Sequence, residues 1–428
     1  MDKASRFLEA KPWVLRWVAL DAPDLRDALA KYPWVSLVGP LKVIESVLRG
    51  IAQVMFVNNP LSGLIMLLGL LIGNLSAGVG AVAASLVAIL VAKVLNFPDE
   101  VISAGLTNFS PVLVGTVIPA LYPVFFHAPL SVPVWLYLLA TSAFSVVVFA
   151  GLGNLLGLHK IPAYTLPFNV ATSITFLCMR AAGYALPAPE AATASNDTSL
   201  LQGDEEEVEW DRVLMGTLLS VGQVWAVESV PCSVLILVGA FLCSPILTLA
   251  CFLGGAIGTF TSLVVSSAPY SAVYSGVWGY NGFLAGGAIA FFMIPTGRNL
   301  FLASVNAVFA TFIMAALLPV FVANQLPVFT FPFCLGSVLM LAATIAAAPE
   351  NLVASPSTPE LHLLHHHHQN HKQSNDKNIK MGVSESEGGV DDNTFTSPAR
   401  EKRNVTITSS PKPRLERMNS TIPLVDTL

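Results

Sequence analysis

Four long apolar blocks, Leu61 to Ala92, Val101 to Val124, Val132 to Leu158 and Leu300 to Leu326, constrain this chain more than any motif in it. A helical run of about twenty apolar residues matches the hydrocarbon thickness of a bilayer. Between Val101 and Leu186 the residues charged at neutral pH are Lys160 and Arg180 alone, and between Val213 and Ala348 they are Glu228 and Arg298. A water-soluble domain of 428 residues needs far more surface charge than that. The chain therefore reads as an all-α integral membrane protein.

Where the charges do fall suggests a topology. Lys3, Arg6, Lys11, Arg16, Arg26, Lys31, Lys42 and Arg49 precede the first block, and a second basic set from Lys372 to Arg417 follows the last. Basic flanks mark cytoplasmic segments, so both termini are expected inside and the number of crossings is even. The loop between the halves is acidic, with Asp204, Glu205, Glu206, Glu207, Glu209 and Asp211, and carries the glycosylation sequon Asn196-Asp197-Thr198. Such a loop belongs outside, with Asn196 the glycosylation candidate. Five crossings on each side satisfy both facts. The expected division is a cytoplasmic N-terminal segment 1–42, a first membrane repeat 43–186, an extracellular linker 187–212, a second repeat 213–349, and a disordered cytoplasmic tail 350–428. Met1 to Leu8 lack an apolar core, so a cleaved signal peptide is not expected. The tail histidines His362 and His365 to His368 read as a solvated tract, and the five cysteines as small buried side chains; no metal site and no cofactor are expected.

The halves echo one another. Gln53 answers Gln223, Ala104-Gly105 answers Ser275-Gly276, and Pro162 to Asn169 answers Pro327 to Cys334, all at a spacing of roughly 170 residues. With an odd number of crossings between them, the copies run antiparallel, as in duplicated transporters whose shared polar residues line a path at the bilayer midplane. The repeated polar residues Gln53, Gln223, Thr165 and Thr330 are then the candidates for that path. Glutamine brings a donor and an acceptor, and a threonine two residues before proline sits where its hydroxyl is not spent on its own helix. Asn58-Asn59-Pro60 before one apolar run and Pro231 before another predict broken or re-entrant helices. Phe109 with Leu113 and Tyr280 with Leu284 share an i, i+4 spacing and would bound a narrow slot.

The stretches Gln53 to Gly63, Thr165-Leu166-Pro167-Phe168-Asn169 and Trp278-Gly279-Tyr280-Asn281 resemble those of the urea transporters, over roughly Glu45 to Ala347. That resemblance implies ten transmembrane helices as two inverted five-helix repeats, a plasma-membrane homotrimer with one pore per subunit, and channel-like movement of urea. It assigns Gln53, Thr165, Gln223 and Thr330 to polar residues of the pore, and Val54, Phe56, Phe109, Leu113, Ile161, Val224, Tyr280, Leu284 and Leu326 to its walls. Membrane lipid and urea are the expected partners, and nucleic acid is not. The second half departs from the family's pattern, reading Glu228-Ser229-Val230-Pro231 where an Asn-Pro pair is usual. Glu228 leaves open a proton- or cation-coupled transporter, and composition leaves open an ammonia or glycerol channel. An enzyme is not expected, because no nucleophile or metal-ligand cluster lies within the apolar blocks.

Overall fold

The computed structural model describes residues 20–184, 207–267, 269–353 and 356–366. The described residues up to Leu364 belong to one compact unit. The sequon at Asn196, the acidic run Asp204 to Glu206 and the basic clusters at both ends lie outside the described residues, apart from those between Arg26 and Arg49. What is described is helical, with a single isolated bridge between Met293 and Leu352.

Among the described residues five helices are long and apolar enough to cross a membrane: Leu75–Val94 (α4), Phe109–Phe126 (α6), Val132–Gly157 (α7), Pro245–Val265 (α11) and Gly297–Ala323 (α14). Shorter apolar helices stand between them: Pro60–Gly73 (α3), Val230–Cys243 (α10), Tyr280–Phe292 (α13) and Phe331–Ala347 (α15). Further helices are Pro23–Ala30 (α1), Gly39–Gln53 (α2), Asp99–Ser103 (α5), Leu166–Ala181 (α8), Trp210–Gln223 (α9) and Ser271–Tyr274 (α12). The protein is an all-α membrane protein.

Two helix breaks in each half are capped by a polar side chain. The chain leaves α2 at Gln53 and restarts at α3, where Asn59 accepts from the backbone N–H groups of Leu61 and Ser62. In the second half it leaves α9 at Gln223, and Ser229 caps α10 through Cys232 N. The apolar block Leu61 to Ala92 is not one helix. Asn74, extended at φ −155°, ends α3 and caps α4 through Ala77 N; Ser244, at φ −147°, does the same between α10 and α11 through Leu247 N. Proline at the first or second helical position costs no hydrogen bond, which explains Pro60, Pro231 and Pro245.

Backbone strain recurs in register. Left-handed conformations occur at Phe56 and Ala226, at Lys160 and Gln325, and at Tyr164 and Phe329, always roughly 170 residues apart. Gly105 and Gly276 are left-handed as well, and any Cβ there would lie 2.3 Å from Gly50 N and 2.5 Å from Ser220 N respectively. The same element order and the same unusual torsions thus occur twice.

Glycines set the closest approaches. A Cβ on Gly80 of α4 would sit 1.9 Å from Gly115 O of α6, and one on Gly115 would sit 2.2 Å from Gly80 O. In the second half Gly254 of α11 and Gly282 of α13 stand in the same reciprocal relation, at 2.4 Å and 2.5 Å. Between the halves α3 packs on α10, with Gly69 facing Leu235 and Cys232, and Gly239 facing Ser62 and Met66. Without a hydrophobic drive between helices in lipid, such small-residue contacts supply the dispersion that joins them.

The segment after α15 is more ordered than its polar composition suggests. Ile294 N and Val353 N donate to Asn351 O and Phe292 O, and Glu360 accepts from Ser244 Oγ at 2.7 Å and Ile246 N at 2.9 Å, covering the break between α10 and α11.

Because the atom opposing a Cβ at Gly80 is backbone and cannot swing aside, Gly80→Ala is expected to destabilise the protein by about 1–3 kcal/mol. Thermal unfolding of the purified variant in detergent, compared with Gly151→Ala, where nothing lies within 4 Å, checks this.

Candidate solute cavity

A cavity of about 150 Å³ opens beside the first break. The loop after α2 contributes Gln53, Val54, Phe56 and Asn58, α6 contributes Phe109, and the turn before α8 contributes Pro162 to Thr165. Aromatic rings form much of its wall. Phe56 stacks on Phe291 with centroids 5.5 Å apart, and Tyr164 meets Phe292 and Phe333 edge to face at 5.5 Å and 5.2 Å. Phe109 meets Phe149 in the same way at 5.6 Å. Rings in these arrangements hold one another in place and present flat, rigid surfaces.

The left-handed bend at Phe56 is what turns its ring inward, and it is held by the buried Arg49. Arg49 bonds Glu45 Oε1 from Nε at 2.9 Å and from Nη2 at 2.8 Å, and its Nη1 donates to Asp21 O, Asn58 O and Asn58 Oδ1. All three guanidinium nitrogens are thus engaged with neighbouring residues. The carbonyl of Asn58, left without a helical partner by the break, is taken by Arg49 at 2.6 Å.

At the floor of the cavity lies Thr165. Its hydroxyl is 2.6 Å from that of Thr330, its counterpart in the second half. Both threonines stand at helix N-caps, of α8 and α15, yet neither hydroxyl caps its helix. The preceding left-handed residues, Tyr164 and Phe329, aim the two chains at each other. Thr330 also bonds Asn169 Oδ1, through its N–H at 3.0 Å and its hydroxyl at 2.9 Å, and Cys334 Sγ lies 3.1 Å from Thr165 Oγ1 and 3.4 Å from Asn169 Nδ2. All four residues are buried.

The two glutamines occupy matching settings. Gln53 Nε2 donates to Ala104 O at 3.2 Å and Gln223 Nε2 to Ser275 O at 2.9 Å, each carbonyl belonging to the residue before a left-handed glycine. A carbonyl only accepts, so the amide nitrogen is fixed there and the amide oxygen remains available. A second, shallower pocket of about 140 Å³ is lined by Ser275, Glu228, Arg212, Met215, Ser271 and Tyr274, next to the anchor of Gln223.

The family model described as urea transporter matches residues 44–345. The chain is 31% identical over 337 residues to a protein named Urea transporter 1 from Ovis aries, covering 78% of this chain and 84% of that one. It is 30% identical over 339 residues to Urea transporter 1 from Rattus norvegicus, covering 77% and 83%. The chain belongs to the urea transporter family.

In this urea transporter the residues named from sequence divide into two groups. Gln53, Val54, Phe56, Phe109 and Thr165 line the cavity, and Thr330 touches its floor through Thr165. Gln223, Val224, Leu113, Ile161, Tyr280, Leu284 and Leu326 do not line it. Leu113 and Leu284 are fully buried in the apolar core, one turn beyond Phe109 and Tyr280. Tyr280 braces the bend ahead of Thr330: its hydroxyl and Asn281 Nδ2 both donate to Phe329 O, while Phe333 N donates to Asn281 Oδ1. Glu228 is exposed, not buried. The sequence reading missed Tyr164, Phe149, Phe291, Phe292 and Asp21, together with Pro356, Ser357 and Thr358 of the last ordered segment, all of which line the cavity. Tyr164 was legible as the residue between two members of a repeated motif; the others are brought in by tertiary packing. Among the described residues no group of three or more histidine, cysteine or acidic side chains is placed to hold a metal.

Asp21 sits at the edge of the cavity, where burial raises its pKa against the opposing pull of Arg49 and Arg26. With the folded-state pKa the higher one, the neutral acid stabilises this corner at low pH, and that contribution is lost as pH rises through the raised value. Asp21→Asn stays neutral and is expected to flatten the fall in thermal stability as pH rises above about 4, the ordinary carboxylate value, measured by melting in detergent against the unaltered protein.

Proposed function

We propose that this protein carries urea across the plasma membrane by facilitated diffusion, through a path that runs from the aromatic cavity past the Thr165 and Thr330 hydroxyls to the pocket beside Gln223. The observation that carries this reading is a cavity walled by rings and floored by paired hydroxyls, in a chain of the urea transporter family. Urea is flat and uncharged, with N–H donors along its edges and one carbonyl. In a dry passage each polar group left unmatched costs about 1–3 kcal/mol, so the path must replace water's hydrogen bonds while excluding thicker solutes. The rings around Phe56 and Tyr164 press on the faces; Gln53 and Thr165, and beyond them Thr330 and Gln223, meet the edges. Val54, Ile161, Val224, Tyr280, Leu284, Leu113 and Leu326 then act from the walls or behind them.

Hydroxyls 2.6 Å apart leave no gap for a solute. Passage therefore parts the threonines and lets urea take the bond they give up. Ions find no such compensation. The N-terminal ends of α8 and α15 converge at the pair, and their positive dipole ends oppose a cation.

The repeated element order and torsions support two five-helix repeats of opposite orientation, ten crossings in all, and both termini in the cytoplasm. The resemblance to urea transporters further supports a homotrimer with a separate path in each subunit, and glycosylation at Asn196. The boundaries that follow are a first membrane repeat at 43–186 and a second at 213–349, joined by an extracellular linker at 187–212 and flanked by cytoplasmic segments at 1–42 and 350–428. Coupling through Glu228 draws no support from its place, exposed in a shallow pocket shared with Arg212.

Vesicles holding the purified protein are expected to take up labelled urea faster than protein-free vesicles, equally in both directions and without dependence on a proton or sodium gradient. Thiourea, glycerol, ammonia and water serve as comparisons, and preference for ammonia or glycerol over urea would overturn the reading. In the same assay Thr330→Val is expected to lower urea flux about fivefold to tenfold, the weight of one net hydrogen bond, while Thr330→Ser retains most of it.

A further inference from the structure

We propose that Asn169 fixes the hydrogen-bond polarity of the threonine pair, so that the constriction offers only acceptors to a passing solute. The inference rests on reading this cavity as the urea path. Asn169 is buried on the first turn of α8, and its counterpart in the repeat, four residues after Thr330, is Cys334. The two halves are therefore chemically different beside the threonine pair.

The direction of each bond follows from what its atoms can do. Thr330 N–H can only donate, so the Asn169 atom 3.0 Å away must be the amide oxygen; this orients the side chain whatever the choice of flip. The Thr330 hydroxyl, 2.9 Å from that same oxygen, must donate to it, because an amide oxygen has no proton. With its proton spent, Thr330 Oγ1 can only accept in its 2.6 Å contact with Thr165, so Thr165 donates. Thr165 has then also used its proton, and its 3.1 Å contact with Cys334 is donated by the thiol. Asn169 Nδ2, 3.4 Å from Cys334 Sγ, completes the circuit by donating to sulfur. Asn169, Cys334, Thr165 and Thr330 form a closed ring of four bonds running one way, an arrangement in which each bond polarises the next.

The functional consequence lies at Thr165, the ring member that lines the cavity. With its proton spent on Thr330, its oxygen can offer a solute only an acceptor, matched to an N–H of urea. When urea parts the threonines, Thr330 stays held by Asn169 and presents an acceptor as well. Asn169 touches no solute and acts through Thr330; it is a positioning residue. Removing its oxygen frees the Thr330 proton to rotate, and the pair then presents donors as often as acceptors.

The test is stopped-flow flux of urea and of water in vesicles containing the full chain, normalised to folded protein, for the unaltered protein, Asn169→Leu, Thr330→Val and the double variant. Leucine keeps the branched outline of asparagine, in a somewhat larger side chain, without its acceptor. Asn169→Leu is expected to cut urea flux about fivefold to tenfold while water flux, which accepts either polarity, stays within about twofold. The double variant is expected to match Thr330→Val alone, since Asn169 has nothing left to orient. Equal urea flux in Asn169→Leu and the unaltered protein, a parallel loss of urea and water, or additive losses in the double variant would each overturn the role given to Asn169. Absence of urea flux in the unaltered protein would instead remove the urea path itself, and this inference with it.

Discussion

In hydrocarbon a helix can be interrupted only where its freed backbone groups find partners within the protein, and that requirement governs this structure. Breaks follow Gln53, Gly73, Gln223 and Cys243, and each is closed by a short polar side chain: Asn59, Asn74, Ser229 and Ser244. The break beside the cavity needs more, because it also turns a ring inward through a left-handed residue. Arg49 supplies it, binding both the carbonyl and the side chain of Asn58 while its charge is balanced by Glu45. A buried guanidinium with fewer partners would cost more than it returns. Here all three of its nitrogens are engaged, by the Glu45 carboxylate, the Asn58 side chain and the backbone carbonyls of Asp21 and Asn58, so the ion pair steadies the break beside the cavity.

From those breaks the cavity follows. Short helices leave room that full-length spans would fill, and the N-terminal ends of α8 and α15 bring the Thr165 and Thr330 hydroxyls into the buried interior. The aromatic residues of the second half, Phe291, Phe292 and Phe333, reach across to Phe56 and Tyr164 of the first. The wall is therefore a joint product of both repeats. The same is true of the floor, where Thr165 and Thr330 come from corresponding turns and meet at hydrogen-bonding distance. A pseudo-symmetric fold places equivalent residues around its axis, and the contact between them is closest where they sit nearest to it.

Small departures from symmetry carry the chemistry. Asn169 faces Cys334, Arg49 is answered by Leu219, and Phe56 by Ala226. Each replaces a polar or bulky side chain with an apolar or smaller one in the second half. The aromatic cavity lies beside the break in the first half, and a more open pocket with Glu228 and Arg212 lies beside the matching break in the second.

Sequence alone determined the membrane class, the duplication and the pairing of Gln53 with Gln223 and Thr165 with Thr330, because apolar run length and repeated motifs are properties of the chain read in order. It also marked the break at Asn59-Pro60. What only the tertiary structure decided is which paired residues stand at a cavity and which stand behind it. An i, i+4 spacing showed that Phe109 and Leu113 share a helix face, yet one lines the cavity and the other is sealed in the core, because the face is covered by a neighbouring helix one turn further on. The split of one apolar block at Asn74, the capture of Asn58 by Arg49 and the ring through Asn169 and Cys334 depend on side chains separated by up to 169 residues. Hydrogen bonds choose partners by distance and direction in space, and a linear pattern does not contain those two quantities.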